Sequence, residues 1–138
     1  HGGRIGDGFI STSPDDALVK AFEKSGGSGK QKLGMMHCAY DADAKQGLAR
    51  ATKEWPNLAL KGPLGQELAT PGDFEAAAAM VKEEDVAKLT PCGPDPEPYL
   101  DLIGKYADAG FTHVYMHQIG TNQDEFAQFA AERLMPKL

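Results

Sequence analysis

The sequence has little of several features that would assign it quickly to a class. It contains only two cysteines, Cys38 and Cys92, so it is not a small disulfide-rich scaffold, and we expect both thiols to be free. Its 14 basic residues are outnumbered by 20 acidic ones, and the net charge of -6 argues against a nucleic-acid partner. No apolar run approaches the roughly 18 residues of a membrane span, and no signal-peptide pattern opens the chain. We therefore expect a cytoplasmic location and no membrane partner.

The chain does have the composition and patterning of a globular domain. Of its 138 residues, 41% are hydrophobic and 25% charged, enough for one domain with a core. Apolar patterns predict three strands, at Gly6 to Ser11, Lys32 to Tyr40 and Phe111 to His117, separated by helices. Strands that alternate with helices predict an α/β fold with a parallel sheet. Three strands cannot close into a barrel of eight.

Capping motifs predict where the helices begin. Ser13-Pro14 is typical of a helix N-terminus, with Ser13 as the cap, and Thr70-Pro71 and Asp95-Pro96 repeat the pattern. Residues 56–70 show no period and several Gly and Pro interruptions, which predict an irregular insertion within a single domain, 1–138.

The first candidate binding residues follow the first strand. In parallel α/β folds, ligands meet the carboxyl ends of strands. Ser11, Thr12 and Ser13 lie there, and their hydroxyls are suited to holding an anion or a polar ring substituent. The alternative is that Ser13 only caps its helix.

Histidines mark the other two strands. His117 and Gln118 lie at the carboxyl end of the third strand, where His117 either lines a pocket or has a structural role. His37 is in the middle of its strand, which favours a hydrogen-bonded core histidine. His113 and His117 share a strand face, but at 3.3 Å per residue their side chains leave the backbone about 13 Å apart. That is too far for one metal ion, so no metal site is predicted.

Several motifs, in the same order along the chain, resemble those of luciferase-like oxidoreductases. The branch they match contains the deazaflavin (coenzyme F-420)-dependent glucose-6-phosphate dehydrogenases. The match covers almost the whole chain but only a carboxyl-terminal part of the family's protein. The matching residues are Gly3-Arg4, Gly6-Asp7-Gly8-Phe9-Ile10, Thr12-Ser13, Tyr40-Asp41, Trp55, Pro71, Ala87-Lys88, Asp95-Pro96, Gly110, His113-Val114-Tyr115-Met116-His117 and Gln123 to Phe126.

This resemblance implies part of a TIM (β/α)8 barrel, with the three strands as about the sixth to the eighth. It implies hydride transfer between a substrate carbon and coenzyme F-420. The family's acid and base residues and most cofactor contacts lie in its amino-terminal part, so catalytic and cofactor-binding residues stay unassigned here. We expect the rest of the barrel as a partner, and a chain that is inactive without it.

The resemblance also bears on the substrate. Thr12 matches a threonine at the family's substrate-phosphate site, where the sugar-phosphate enzymes add three basic residues. The matching positions here are Asp15, Gly65 and Leu89. A buried phosphate without cationic partners is strongly unfavourable. We therefore expect Ser11, Thr12, Ser13, His117 and Gln118 to bind an alcohol, a ketone or an apolar substrate rather than glucose 6-phosphate.

Two other functions remain open. One is a flavin mononucleotide (FMN)-dependent luciferase-like monooxygenase, which differs mainly in contacts outside this chain. The other is a non-catalytic α/β module that stands alone or assembles as a homo-oligomer. The first and last strands carry little charge or proline around Phe9-Ile10 and Val114-Tyr115-Met116. A finished domain usually protects its edge strands, so these edges favour a piece of a larger domain.

Overall fold

Three parallel strands form the sheet, as the sequence predicts. The computed structural model describes residues 1–60 and 64–138. The strands are β1 (Gly8–Ser11), β2 (Gln31–Cys38) and β3 (His113–Gln118), and they lie in the order β1-β2-β3. Both pairs are parallel, with Ile10 opposite Leu33 and His37 opposite His117.

Helices precede β1, connect the strands and follow β3. They are α1 (Gly2–Ile5), α2 (Asp16–Phe22), α3 (Ala44–Glu54), α4 (Leu64–Glu67), α5 (Pro71–Ala78), α6 (Glu83–Ala87), α7 (Glu97–Asp108) and α8 (Gln123–Phe129), with π turns at Glu23–Gly27 and Ala130–Leu134 and 3₁₀ turns at Pro56–Ala59 and Met135–Lys137. None of the described helices is long and apolar enough to cross a membrane. The irregular insertion predicted near 56–70 includes residues 61–63, which lie outside the described residues.

The helix after β1 begins two residues later than its sequence pattern predicts. Its cap is Asp15, not Ser13: one carboxylate oxygen of Asp15 accepts from the amides of Ala17, at 2.8 Å, and Leu18, at 3.3 Å. Aspartate and serine are similarly good caps, so local preference alone does not choose between them. Pro14 lies just before the cap and outside the helix.

The two faces of the sheet differ in their cover. Met36 and Cys38 of β2 are buried on the face that the helices cover, where they pack with Tyr99 and Tyr106 of α7. Side chains alternate along a strand, so the neighbouring residues point to the opposite face. On that face Ile10 is 70% exposed and Tyr115 57% exposed. The larger core of the described residues therefore lies on the helix-covered side of the sheet, and a second buried cluster, with Ala39, Ala51, Val86 and Ile119, lies at the carboxyl ends of β2 and β3.

Neither cysteine forms a disulfide. Cys38 is buried in β2, and Cys92 lies beside Ala39 in a short bridge that extends the sheet. Burial raises the pKa of the Cys38 thiol to about 12 and that of Cys92 to about 11. Thiols held in the protonated form are weak nucleophiles, so the two cysteines serve as packing residues.

Candidate functional site

Residues from the ends of β1 and β2 line a shared pocket. Thr12 and Ser13 follow β1, and His37 is the penultimate residue of β2; all three border one cavity of about 400 Å³. Because β1 and β2 are parallel, their carboxyl ends lie at the same edge of the sheet. The hydroxyls after β1 and the imidazole of β2 therefore share one pocket.

Ser11 shapes the turn that presents these hydroxyls. Its hydroxyl donates to the carbonyl of Ser13 at 3.0 Å and accepts from the Ser13 amide at 3.2 Å. Local serine bonds of this kind fix a turn after a strand. Within residues 1–60 and 64–138, the Thr12 hydroxyl makes no hydrogen bond and stays available to a ligand. Ser11 holds the loop, whereas Thr12 and Ser13 border the cavity.

His37 and His117 form a hydrogen-bonded pair. They are direct partners in the β2–β3 register, and their Nδ1 atoms lie 2.8 Å apart. The single tryptophan, Trp55, packs beside both rings. Its centroid lies 4.9 Å from that of His117, edge to face, and 5.9 Å from that of His37. The sheet register and the end of α3 thus assemble a cluster of three rings.

Burial disfavours the charged form of His37. Removal of its ring from water lowers the pKa of His37 below its usual value of 6.5, and the neighbouring His117 lowers it further. Both causes penalise a positive charge on the imidazole. His37 therefore takes up a proton at a lower pH than an exposed histidine does.

This depressed pKa predicts a loss of stability in acid. The unfolded chain, with a histidine pKa of about 6.5, binds a proton more readily than the fold does. The contribution of His37 is therefore complete above about pH 6.5 and is lost as the pH falls through the lower pKa of the fold. We expect His37→Asn to flatten the pH dependence of the unfolding free energy, measured by urea denaturation. His113→Asn, at an exposed position, is the control, and equal slopes in the two variants would contradict the prediction.

Gln118, at the end of β3, is buried and hydrogen-bonded within the protein. It is 5% exposed, and its amide is engaged within the protein. The oxygen accepts from the Tyr40 amide at 2.9 Å, and the nitrogen donates to the Tyr40 carbonyl at 3.1 Å and to Asn122 at 3.0 Å. Buried amide groups are stable when satisfied in this way. Gln118 joins the loops that follow β2 and β3, and its contact with substrate stays a prediction.

A second group of polar residues, of which only Asp41 was singled out from the sequence, completes this junction. Asn122 donates to the Tyr40 carbonyl at 2.9 Å. Arg50 of α3 donates to Asn122 at 3.2 Å and pairs with Asp41 at 2.7 Å. For Asn122 the available signal was its position four residues after the end of β3, and Asp41, three residues after the end of β2, also belongs to a motif of the resemblance. The junction fixes both loops relative to each other beside the His37–His117 pair.

The charge of Asp41 fits this structural role. The Asp43 amide, which donates to Asp41 at 3.0 Å, and the Arg50 guanidinium hold the pKa of Asp41 below its usual range. The carboxylate therefore stays ionised and bound to its partners. Within the described parts of the chain, no group of three or more His, Cys, Asp or Glu residues is arranged to hold a metal ion.

The curated proteins with similar sequences include F-420-dependent glucose-6-phosphate dehydrogenases. No protein-family model matches the chain. A curated F-420-dependent glucose-6-phosphate dehydrogenase from Beutenbergia cavernae is 29% identical over 148 residues, which cover 99% of this chain and 44% of that protein. The enzyme of the same name from Segniliparus rotundus is 30% identical over 150 residues, which cover 100% of this chain and 44% of that protein. The chain thus spans less than half the length of the curated relatives it matches.

Solved structures show the same fold. An F-420-dependent secondary alcohol dehydrogenase, in complex with an F-420–acetone adduct, aligns with a TM-score of 0.73 at 15% identity over 97% of this chain and 43% of that one. The coenzyme F-420-dependent tetrahydromethanopterin reductase from Methanopyrus kandleri aligns with a TM-score of 0.69 and 18% identity, over 99% of this chain and 46% of that one. These alignments confirm the predicted α/β class and partial TIM barrel. The chain is homologous to a carboxyl-terminal part of the F-420-dependent glucose-6-phosphate dehydrogenases, which confirms the resemblance found in its sequence.

Proposed function

We propose that this chain forms the carboxyl-terminal part of an F-420-dependent oxidoreductase that transfers hydride between the cofactor and an alcohol or carbonyl carbon. The supporting observation is the alignment of 99–100% of the chain with curated F-420-dependent dehydrogenases. The pocket lies at the carboxyl ends of parallel strands, where α/β barrels bind their ligands.

The described residues fit one wall of such a site. The carboxyl ends of the strands bring together half-buried imidazoles, an indole and the hydroxyls of Thr12 and Ser13. When bound, coenzyme F-420 supplies the hydride chemistry, and the protein contributes binding and orientation. In this proposal Thr12, Ser13 and His117 bind oxygen atoms of the substrate. Ser11 and Gln118 hold the loops that carry them.

We further propose that the substrate is an alcohol or carbonyl compound rather than glucose 6-phosphate. Leu89, at a position that is basic in the sugar-phosphate enzymes, borders the pocket together with Leu58 and Leu102. Asp15 uses its carboxylate to cap α2. Lys88 and Lys105 also border the pocket, but Lys88 is paired with Asp85 at 3.3 Å. Three leucines therefore make part of the wall apolar beside its hydroxyls, and the two lysines border the rest.

A binding titration of the full-length protein that contains this chain tests both parts of the proposal. We expect binding of coenzyme F-420, followed by absorbance, in preference to FMN, and no micromolar complex with glucose 6-phosphate. Leu89→Arg restores one cation, and charge-assisted hydrogen bonds contribute about 1.5–3 kcal/mol. The variant should therefore bind glucose 6-phosphate about 10- to 100-fold more tightly than the natural protein. Leu58→Arg, on the same pocket wall, is the matched control.

The possible results separate the alternatives. Micromolar binding of glucose 6-phosphate to the unaltered protein would reject the proposed substrate class and leave the cofactor assignment intact. Preference for FMN would favour a luciferase-like monooxygenase, and binding of neither cofactor would favour a non-catalytic module. In the proposal, the remaining barrel strands are the partner of this chain, and the chain alone has no turnover.

A further inference from the structure

We propose that His37 and His117 act as one unit, in which a single Nδ1–H···Nδ1 hydrogen bond fixes complementary tautomers and leaves one Nε2 donor and one Nε2 acceptor for an oxygen-bearing ligand. The proposal assigns a new role to His37 as the positioning residue for His117. Its link to an alcohol or carbonyl ligand rests on the proposed function, whereas the paired tautomers depend only on this chain.

The short distance between the rings requires opposite tautomers. Two nitrogens 2.8 Å apart are within hydrogen-bond distance, and one must carry the proton that the other accepts. A neutral imidazole carries one N–H, so the ring that donates at Nδ1 has a bare Nε2. The ring that accepts at Nδ1 carries its proton on Nε2. The strand register therefore gives the pair one outer donor and one outer acceptor.

The outer nitrogens are available. Within residues 1–60 and 64–138, no hydrogen bond joins the Nε2 atom of His37 or of His117 to another protein group. His37 borders the same cavity as Thr12, and both rings are only partly buried. An alcohol group donates and accepts at once, and a carbonyl oxygen accepts. Both therefore match the hydrogen-bonding groups that the pair and Thr12 offer.

One added proton changes the pair as a whole. The bare Nε2 takes up the proton, the central Nδ1–H···Nδ1 bond remains, and both outer nitrogens become donors. A second proton would place N–H groups on both facing nitrogens and break the central bond. The first proton therefore converts the pair from a donor and an acceptor into two donors, and the second is opposed by repulsion between the rings.

The surroundings of the pair do not favour a second charge. Burial and then His117 are the causes that lower the pKa of His37. No carboxylate accepts a hydrogen bond from either ring within the described residues. The other titratable or charged groups that face this region are His113 and Tyr115 on β3, Lys88 and Lys105 in the pocket wall, and the Arg50–Asp41 ion pair beyond the strand ends.

Nitrogen-15 spectroscopy of histidine side chains tests the proposal in this chain without any cofactor. We expect one ring of the pair in the Nδ1–H form, the other in the Nε2–H form, and a scalar coupling between the facing nitrogens. His117→Asn should raise the pKa of His37 because it removes one of the two causes of its depression. His113→Asn, on the same face of β3, should leave the signals of the pair unchanged.

The fluorescence of Trp55 gives a second readout. Because Trp55 is the single tryptophan and contacts both rings, uptake of the first proton should change its emission. The transition should shift in His37→Asn and persist in His113→Asn. The proposal is overturned if both rings of the unaltered chain carry Nε2–H, or if they titrate independently. This outcome needs no variant to fold, and it leaves the proposed cofactor and substrate class untouched.

Discussion

Replacement of Tyr99 by alanine is expected to lower the free energy of unfolding by about 3–5 kcal/mol, as for other large buried aromatics. Tyr99 is fully buried and packs edge to face on Phe129, with ring centroids 5.2 Å apart. Its hydroxyl donates to the Gly93 carbonyl at 2.9 Å. Truncation leaves a cavity between α7 and α8 and removes the partner of that carbonyl. Urea denaturation followed by circular dichroism measures the loss.

Two matched variants separate the loss of the buried Tyr99 ring from the loss of its hydroxyl and from the loss of an exposed tyrosine. Tyr99→Phe keeps the ring and loses only the hydroxyl, so we expect a decrease of about 1 kcal/mol. Tyr115→Ala removes the same side chain from the uncovered face of the sheet, where it is 57% exposed, and should change stability by about 0.5 kcal/mol or less. Similar losses for Tyr99→Ala and Tyr115→Ala would contradict a larger core on the helix-covered side of the sheet.

Gly34→Ala is expected to destabilise the fold by about 1–3 kcal/mol, the usual range for overpacking a core. A Cβ atom at this position of β2 would lie 2.4 Å from a ring carbon of Tyr106. That ring cannot easily retreat, because it is buried and its hydroxyl donates to the Met35 carbonyl at 2.9 Å. The strand and α7 approach closely because residue 34 has no side chain. The measurement is again the urea midpoint.

The control is the same substitution where there is space. Gly104 lies within α7, and no heavy atom is within 4 Å of a Cβ built there. Gly104→Ala should stabilise the chain by roughly 0.5–1 kcal/mol, since alanine is the better helix former. The two Gly→Ala changes should therefore have opposite signs. In a double-mutant cycle, the effects of Gly34→Ala and Tyr106→Leu on the free energy of unfolding should not be additive, because the added methyl group clashes with the Tyr106 ring. If Gly34→Ala acted only through the backbone of the strand, the two effects would add.

Much of the fold can be predicted from local patterns in the sequence. Alternating and helical periods locate the three strands and α7, and Gly110, with a φ of +94°, ends that helix region as its residue type indicates. The N-cap residue of α2 is harder to predict from the sequence, because Ser13 and Asp15 are both good helix caps. The choice depends on the turn that Ser11 and Ser13 form.

The site is less predictable, because its contacts join strands that are far apart in the sequence. His37 and His117 are 80 residues apart, and only the sheet register brings them together. Lys32 shows the same limit: strand alternation places it on the helix-covered face, where it is 8% exposed and paired with Glu23 at 2.6 Å. Residue type alone would leave this lysine in solvent. The resemblance locates Thr12, but it says nothing of the imidazole pair.

The strands lie side by side in the same order in which the chain makes them. Each strand pair is therefore formed by consecutive strands, and no strand is inserted between two strands that precede it in the chain. A further strand and its helix can be added beside β1 or β3 without opening either existing ladder, since the outer backbone groups of both remain the margins of this sheet. This strand order permits the sheet to grow by the addition of strands at its two edges, while the existing strand pairs stay unchanged.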